Sequence, residues 1–192
     1  NEQNNASIDH LDPLTTIWIG NRCKIAAHYD FPNNLACCVV GRRKFTLFPP
    51  EQIANLYVGP MEFAPGGQDI SLVDFEQPDL VKYPMFEQAI AAAQVAELDA
   101  GDAPFMPSMW WHHVEGLDAF NVLVTHWWRN SPAFMGRPNN ALMLAMLSLR
   151  DLPRAQRQAW KAHFDYYILD HEEQNLDHIP DQAKGVLAKP HD

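Results

Sequence analysis

A histidine and an aspartate in the segment AAHYDF are spaced as two ligands of a single metal ion. His28 and Asp30 lie two positions apart at the end of a stretch of strand character. Successive side chains of a strand point to opposite faces, so these two would project to the same side. Because His-x-Asp pairs are common by chance, the pair indicates a site only together with a third ligand from elsewhere in the chain.

The segment GDAPFMPSMWWHHVEG offers this third ligand at its paired histidines. His112 and His113 would point to opposite faces of one strand, and the residues alone do not choose between them. Two histidines and one carboxylate that leave coordination positions open are typical of non-haem iron(II) oxygenases, whereas four protein ligands would make a closed structural site. The sequence therefore predicts an iron(II) site with room for a co-substrate and O2.

Short strands joined by turns must position these residues. The short turns between the first four strand-like segments favour antiparallel pairing. Apolar and β-branched runs bounded by Gly, Pro and Asn predict strands at 14–20, 23–30, 35–40, 44–50, 94–98, 103–107 and 120–128.

Two short helices and one long connection complete this part of the chain. The helices are expected at 49–57, opened by proline, and at 85–93. The connection 58–84 is rich in Gly, Pro and Asp and carries APGGQD at its tip. A connection of this length inside a compact domain is usually functional.

The character of the sequence changes after about Asn130, which divides the chain into residues 1–130 and 131–192. Two helices are predicted in the second part, at 139–149 and 153–169. These helices either pack their apolar stripes against the strand-rich part or use them as a subunit interface. The stripes follow helical spacing: Leu142, Met146 and Leu149 on the first helix, and Trp160, Phe164 and Tyr167 on the second.

Composition limits the class of protein and its partners. The 192 residues are 47% hydrophobic and 20% charged, as in an ordinary globular protein. The formal net charge of -10 disfavours DNA as a partner, and no apolar run approaches the ~20 residues that span a membrane. Three cysteines without metal or disulfide spacing indicate a reducing, cytoplasmic location. The polar start without an initiator Met indicates either that the sequence begins inside a longer protein or that a segment was removed.

Several motifs follow one another between about residues 14 and 130: HYD, GRRKFTLFPPEQIANLY, SLVDFEQPDL, YPMFEQA, GDAPFMPSMWWHHVEG and THWW. In this order they resemble the cupin-like branch of the JmjC-type 2-oxoglutarate oxygenases, most closely the asparaginyl hydroxylase that represses the hypoxia-inducible factor. The resemblance implies a mainly β protein with a double-stranded β-helix, a jelly-roll and cupin-like fold, followed by a C-terminal pair of α-helices. It also implies a homodimer formed through those helices, and a segment before the barrel that would make this sequence a fragment of a longer protein.

The same resemblance assigns the metal ligands as His28, Asp30 and His112, because that family uses the first of its paired histidines. The metal is then Fe(II), with 2-oxoglutarate and O2 as co-substrates. The expected activity is hydroxylation of a protein or peptide side chain, or of a small molecule, with release of succinate and CO2.

A cation is predicted on the inner face of the segment VVGRRKFTLF. Read as a hairpin, this segment puts Arg43, Phe45 and Leu47 on one face and Lys44 on the other. A buried guanidinium needs a partner, and the distal carboxylate of 2-oxoglutarate can accept two parallel hydrogen bonds from it. Alternatively, Arg43 pairs with a protein carboxylate or reaches solvent. Lys44 is the second choice for the co-substrate, although its parity is wrong.

Three further residues are carried over to the co-substrate pocket from the resemblance. Asn34 and Trp127 fall where the family lines that pocket, and Thr125 stands where the hydroxylase has an asparagine. Ile25 occupies the position of a threonine that contacts the co-substrate, so some of these contacts would be rearranged. The hydroxylase itself carries a lysine at the position of Arg43.

The substrate contacts of that hydroxylase are not repeated in this sequence. Asp69 and Ile70 replace an Arg-Gln pair that holds the substrate asparagine, so specificity for asparagine does not follow. Two alternatives to a 2-oxoglutarate hydroxylase stay open. One is a metal-dependent cupin enzyme that does not use 2-oxoglutarate, and the other is a non-catalytic metal-binding dimer module.

Overall fold

The computed structural model of the protein forms two compact units, Asn1–Asn130 and Ser131–Asp192. Most of the predicted APGGQD loop tip lies outside the described residues. Among the described helices, none combines the length and the apolar character that crossing a membrane requires. The residues that the structure describes are 8, 11–61, 69–132 and 134–188.

In the part of the first unit that the structure describes, eight strands form two four-stranded antiparallel sheets, with strand orders β1-β8-β3-β6 and β2-β7-β4-β5. This arrangement confirms the predicted mainly β, cupin-like fold. The strands are β1 (Leu14–Gly20), β2 (Cys23–Tyr29), β3 (Asn33–Val40), β4 (Arg43–Phe48), β5 (Gln94–Leu98), β6 (Phe105–Met106), β7 (Trp111–Gly116) and β8 (Asn121–Trp128).

The first four strands alternate between the two sheets, so the hairpin predicted for residues 39–48 is wrong. β3 pairs with β6 and β8, whereas β4 pairs with β5 and β7. The turn at Gly41, which has φ +76°, carries the chain from one sheet to the other. Crossing lets both strands bury an apolar face between the sheets, which side-by-side pairing in one sheet would not achieve.

The inner face predicted for β4 is nevertheless correct, because side-chain alternation is a property of the single strand and does not depend on which strand it pairs with. Phe45 and Leu47 are buried with residues of both sheets, while Phe48 belongs to a second core cluster that also contains Leu56 and Phe86. The connection 58–84 and the helix that contains Phe86 therefore cover the outer face of the second sheet, and β4 is buried on both sides.

Helical segments occur close to where the sequence places them. The predicted helix at 49–57 is a short 3-10 helix, Pro50–Ala54, and the next is the α-helix α1 (Phe86–Ala91). In the second unit, α2 spans Pro138–Leu149 and α3 spans Arg154–Phe164. The predicted continuation of α3 is a π-helical turn, and short 3-10 helices follow it. These last segments are Asp165–Leu169, Glu173–Leu176, Asp181–Ala183 and Gly185–Leu187.

Candidate metal centre

An irregularity in β2 turns His28 toward the space between the sheets. Ile25 lies opposite Val114 on β7, and His28 lies opposite His112, so three steps along β2 match two along β7. An extra residue of this kind is a β-bulge, which reverses the facing of the side chains that follow it. Ile25 and His28 consequently point to the same side, although their odd spacing would separate them in a regular strand.

The structure brings together the three predicted ligands. Their candidate donor atoms lie within 4.8 Å of one another, and Asp30 Oδ2 is 3.5 Å from His112 Nε2. The rings of His28 and His112 are 4.3 Å apart between centroids. Asp30 and His112 are buried. Two imidazoles and one carboxylate at this spacing suit a divalent transition metal with open coordination positions.

Backbone carbonyls fix the orientation of both imidazoles. His28 Nδ1 is 2.9 Å from the carbonyl oxygen of Ala26, and His112 Nδ1 is 3.1 Å from that of Trp110. A carbonyl can only accept, so Nδ1 carries the proton in each ring and the lone pair is left on Nε2. Burial, and then the neighbouring His112, lower the pKa of His28, which favours the neutral form that binds metal.

The second of the paired histidines faces away from this cluster. His113 packs against the ring of Phe75 at 4.5 Å, and its Nε2 lies 3.9 Å from a carboxylate oxygen of Glu115. Burial lowers the pKa of His113 as well. The structure thus separates two histidines that the sequence left equivalent, and places His112 on the side of His28 and Asp30.

A cavity of ≈ 460 Å³ between the sheets contains every residue predicted for the site. Trp18 also lines it, and sequence reasoning did not assign this residue to the site. Trp18 lies on an edge strand with no motif around it, so alternation on β1 was the only available signal. The predicted residues in the cavity wall are His28, Asp30, Asn34, Arg43, His112, Thr125 and Trp127.

Three buried polar atoms in this wall lack a hydrogen-bond partner among the described residues. They are Arg43 Nε, Asn34 Oδ1 and Trp127 Nε1. Arg43 is 3% exposed and forms no salt bridge within the described part of the chain. Buried polar groups are normally satisfied, so a charged donor without a partner in a cavity fits a polar, anionic ligand.

Lys44 has the opposite environment. Its Nζ lies 3.0 Å from a carboxylate oxygen of Glu115, and it does not line the cavity. Arg43 lies opposite Gly116 on β7, four residues beyond His112. Four strand residues span roughly 13 Å, a separation that the long side chain of Arg43 shortens. The cavity therefore has metal-binding groups toward one end and a guanidinium toward the other.

The two residues of the connection that depart from the hydroxylase pattern have different roles. Tyr29 donates a hydrogen bond from its hydroxyl to Asp69 Oδ2 at 2.9 Å, and both residues are buried. Ile70 forms a β-bridge with His28 and lines the cavity. The connection thus supplies an apolar wall beside the metal-binding group.

A comparison with protein families agrees with this fold. The cupin-like domain family matches residues 2–134, and the chain belongs to this family. Its relatives include proteins named for enzymatic activities. The lysine-specific demethylase JMJ31 of Arabidopsis thaliana is 36% identical over 115 residues, which are 59% of this chain and 20% of that protein.

Two human relatives match a larger part of the chain. The tRNA wybutosine-synthesizing protein 5 of Homo sapiens is 33% identical over 158 residues, covering 74% of this chain and 47% of that protein. The human HSPB1-associated protein 1 is 30% identical over 151 residues, covering 76% of this chain and 30% of that protein. The chain spans between about a fifth and about half of the length of these relatives.

Proposed function

We propose that this protein is an Fe(II)- and 2-oxoglutarate-dependent oxygenase that hydroxylates its substrate and releases succinate and CO2. The observation that carries the proposal is the content of one cavity, in which His28, Asp30 and His112 converge and a buried Arg43 lacks a carboxylate partner among the described residues. Family membership and the relatives' names support metal-dependent oxygen chemistry more broadly.

Each of these residues has a separate task. His28, Asp30 and His112 would hold Fe(II) on one face, and their backbone-anchored imidazoles need little reorganisation to do so. Arg43 would bind the distal carboxylate of 2-oxoglutarate through charge-assisted hydrogen bonds. When bound, iron supplies the coupling of O2 to oxidative decarboxylation of 2-oxoglutarate, with the second oxygen atom going to a substrate C–H bond.

The cavity wall also limits side reactions. Phe45, Val114 and Leu123 line it, and Ile70 closes the side next to His28. Apolar walls keep water away from the co-substrate, which strengthens the contact of the co-substrate with Arg43 and prevents side reactions with water. Trp127 and Asn34 also line the cavity, each with a buried polar atom that lacks a partner among the described residues. Trp127 Nε1 can donate to an oxygen of a small acid, and Asn34 Oδ1 can accept from an N–H or O–H group.

Arg43 separates this proposal from a cupin enzyme that does not use 2-oxoglutarate. Such an enzyme has no need of a buried cation across the cavity from its metal. The intact ligand set in turn separates it from a non-catalytic dimer module. Asparaginyl-hydroxylase-like specificity is not part of the proposal, because Asp69 binds Tyr29 instead of presenting an arginine.

The remaining parts of the proposal concern substrate and setting. We propose a protein side chain, a peptide or a small molecule as substrate, and a homodimer formed through α2 and α3. The relative named as a lysine-specific demethylase makes lysine-containing peptides the first substrates to screen. All three cysteines are free thiols, which supports a reducing, cytoplasmic location.

The test is succinate formation from 2-oxoglutarate in the presence of Fe(II) and O2, with and without candidate substrates. We expect slow substrate-independent turnover that is lost in His112→Ala and reduced in Arg43→Met. Metal binding without any succinate would favour the non-catalytic alternative. Metal-dependent O2 consumption that needs no 2-oxoglutarate would favour the other cupin alternative.

A further inference from the structure

A polar cluster from two neighbouring strands borders the cavity. The hydroxyl oxygens of Thr16 and Thr125 are 2.6 Å apart. Trp18 Nε1 donates toward both, at 3.1 Å from Thr16 Oγ1 and 3.2 Å from Thr125 Oγ1. We call Thr16, Trp18 and Thr125 the hydroxyl cluster.

Strand register explains why these three side chains meet. Thr16 lies opposite Thr125, and Trp18 lies opposite Leu123, in the antiparallel pair of β1 and β8. Thr16 and Trp18 are two positions apart and share the inner face of β1. Trp18 and Thr125 line the cavity, and Thr125 is 3% exposed. The outer face of the same strand pair carries a separate hydrogen bond, between Thr15 Oγ1 and His126 Nδ1 at 2.9 Å.

Counting protons and lone pairs shows what the cluster can offer to a ligand. The indole N–H of Trp18 only donates, whereas each threonine hydroxyl has one proton and two lone pairs. If Thr16 donates to Thr125, the Thr125 oxygen accepts from both β1 residues and its own proton is free to enter the cavity. An anionic ligand beside Thr125 selects this orientation, because a carboxylate oxygen only accepts.

Donation from β1 also strengthens the hydroxyl that faces the cavity. A hydroxyl that accepts hydrogen bonds becomes a better donor, since each bond in a chain polarises the next. The effect is largest where water is excluded, as at the buried Thr125. Thr16 and Trp18 thus act on the ligand through Thr125.

We propose that Thr16 and Trp18 are positioning residues that hold the Thr125 hydroxyl as a hydrogen-bond donor to an oxyanion of the co-substrate. The inference rests on the proposed function, because 2-oxoglutarate is the anion that it places in the cavity. It assigns β1, an edge strand without any candidate metal ligand, a part in co-substrate affinity that is exerted through Thr125.

The test measures the dissociation constant of 2-oxoglutarate by calorimetry for the protein loaded with Mn(II), which stands in for Fe(II) without turnover. The variants are Thr16→Val, Thr125→Val, their double mutant and Trp18→Phe. Thr15→Val is the matched control, since it removes a hydrogen-bonded hydroxyl from the outer face of the same strand. Mn(II) affinity and thermal unfolding are measured for every variant.

Thr125→Val should weaken 2-oxoglutarate binding about tenfold, the usual effect of losing a hydrogen bond to a charged group. Thr16→Val and Trp18→Phe should each weaken it about threefold, and Thr15→Val should leave it unchanged. The double mutant should bind no more weakly than Thr125→Val alone, because Thr16 acts only through Thr125. Affinity for Mn(II) should stay constant throughout.

Additive losses in the double mutant, or a Thr16→Val protein that binds as tightly as the wild type, would overturn the inference. A lower unfolding temperature without any change in 2-oxoglutarate affinity would also overturn it, since the cluster would then be purely structural. If the wild type holds Mn(II) but binds no 2-oxoglutarate, the proposed function fails and the inference fails with it.

Discussion

Replacing Arg43 with methionine should weaken 2-oxoglutarate binding strongly and leave the ligand-free protein at least as stable as the wild type. Arg43 is 3% exposed, and its Nε has no partner among the described residues. A buried charge without a counter-charge is costly, and a methionine of similar length fills the space without that cost. Function and stability should therefore change in opposite directions.

The two magnitudes follow from the same environment. Truncating one partner of a buried, hydrogen-bonded charge pair costs about 2–5 kcal/mol, so a loss of about 3 kcal/mol corresponds to roughly 150-fold weaker binding. Removing the uncompensated guanidinium from the ligand-free protein should raise the free energy of unfolding by about 1 kcal/mol or more. Arg43→Lys keeps a positive charge but lacks the planar guanidinium, so its affinity for 2-oxoglutarate should lie between those of the wild type and Arg43→Met.

Calorimetry with the Mn(II)-loaded protein measures the affinity, and urea unfolding of the ligand-free protein measures the stability. A methionine variant that unfolds several kcal/mol more easily would show that Arg43 pairs with a protein carboxylate. An unchanged dissociation constant would refute its contact with the co-substrate. Lys44→Met is the matched control, because Lys44 pairs with Glu115 outside the cavity and should not affect affinity.

Three further predictions concern the metal, a turn and the assembly. His112→Ala should abolish tight Fe(II) binding while His113→Phe retains it, measured by competition with a chelator; the reverse result would reassign the ligand. Gly41→Ala should lower the free energy of unfolding in urea by about 3 kcal/mol, because φ is +76° and a Cβ would lie 2.5 Å from a side-chain oxygen. Gly101→Ala, at φ +106° in open space, should lower it by only about 1–2 kcal/mol. Equal losses in the two variants would contradict the role of the contact at Gly41. Trp160→Glu should convert a dimer to a monomer in light scattering, and a monomeric wild type would contradict the proposed interface.

Local patterns predicted most of the individual elements. The strand segments around His28, Arg43 and Thr125 and the helices near 139–149 occur where alternation and helical spacing put them. These patterns are properties of short stretches of chain, so the sequence contains them without knowledge of the fold. The choice of Arg43 over Lys44 as the inward cation is of the same kind, because parity along one strand decides it.

Local patterns did not predict which strands pair with each other. The turn between β3 and β4 has the composition of a hairpin, yet burying apolar faces of both strands sends them into different sheets. A bulge near Ala26 likewise changes which residues of β2 face inward, and no residue type signals it. The hydroxyl cluster depends on pairing between strands about a hundred residues apart.

The metal centre shows the same division. His28, Asp30 and the paired histidines were recognisable from their types and spacing, because side-chain chemistry and strand alternation are local. The choice of His112 over His113 follows in the structure from register, since only His112 lies opposite His28 on the cavity side. Register is set by the burial of whole sheet faces, a balance that no short segment contains. The sequence alone thus supplied the candidate ligands. The tertiary structure decided which of them meet, and it places in their cavity a guanidinium that forms no salt bridge within the described residues.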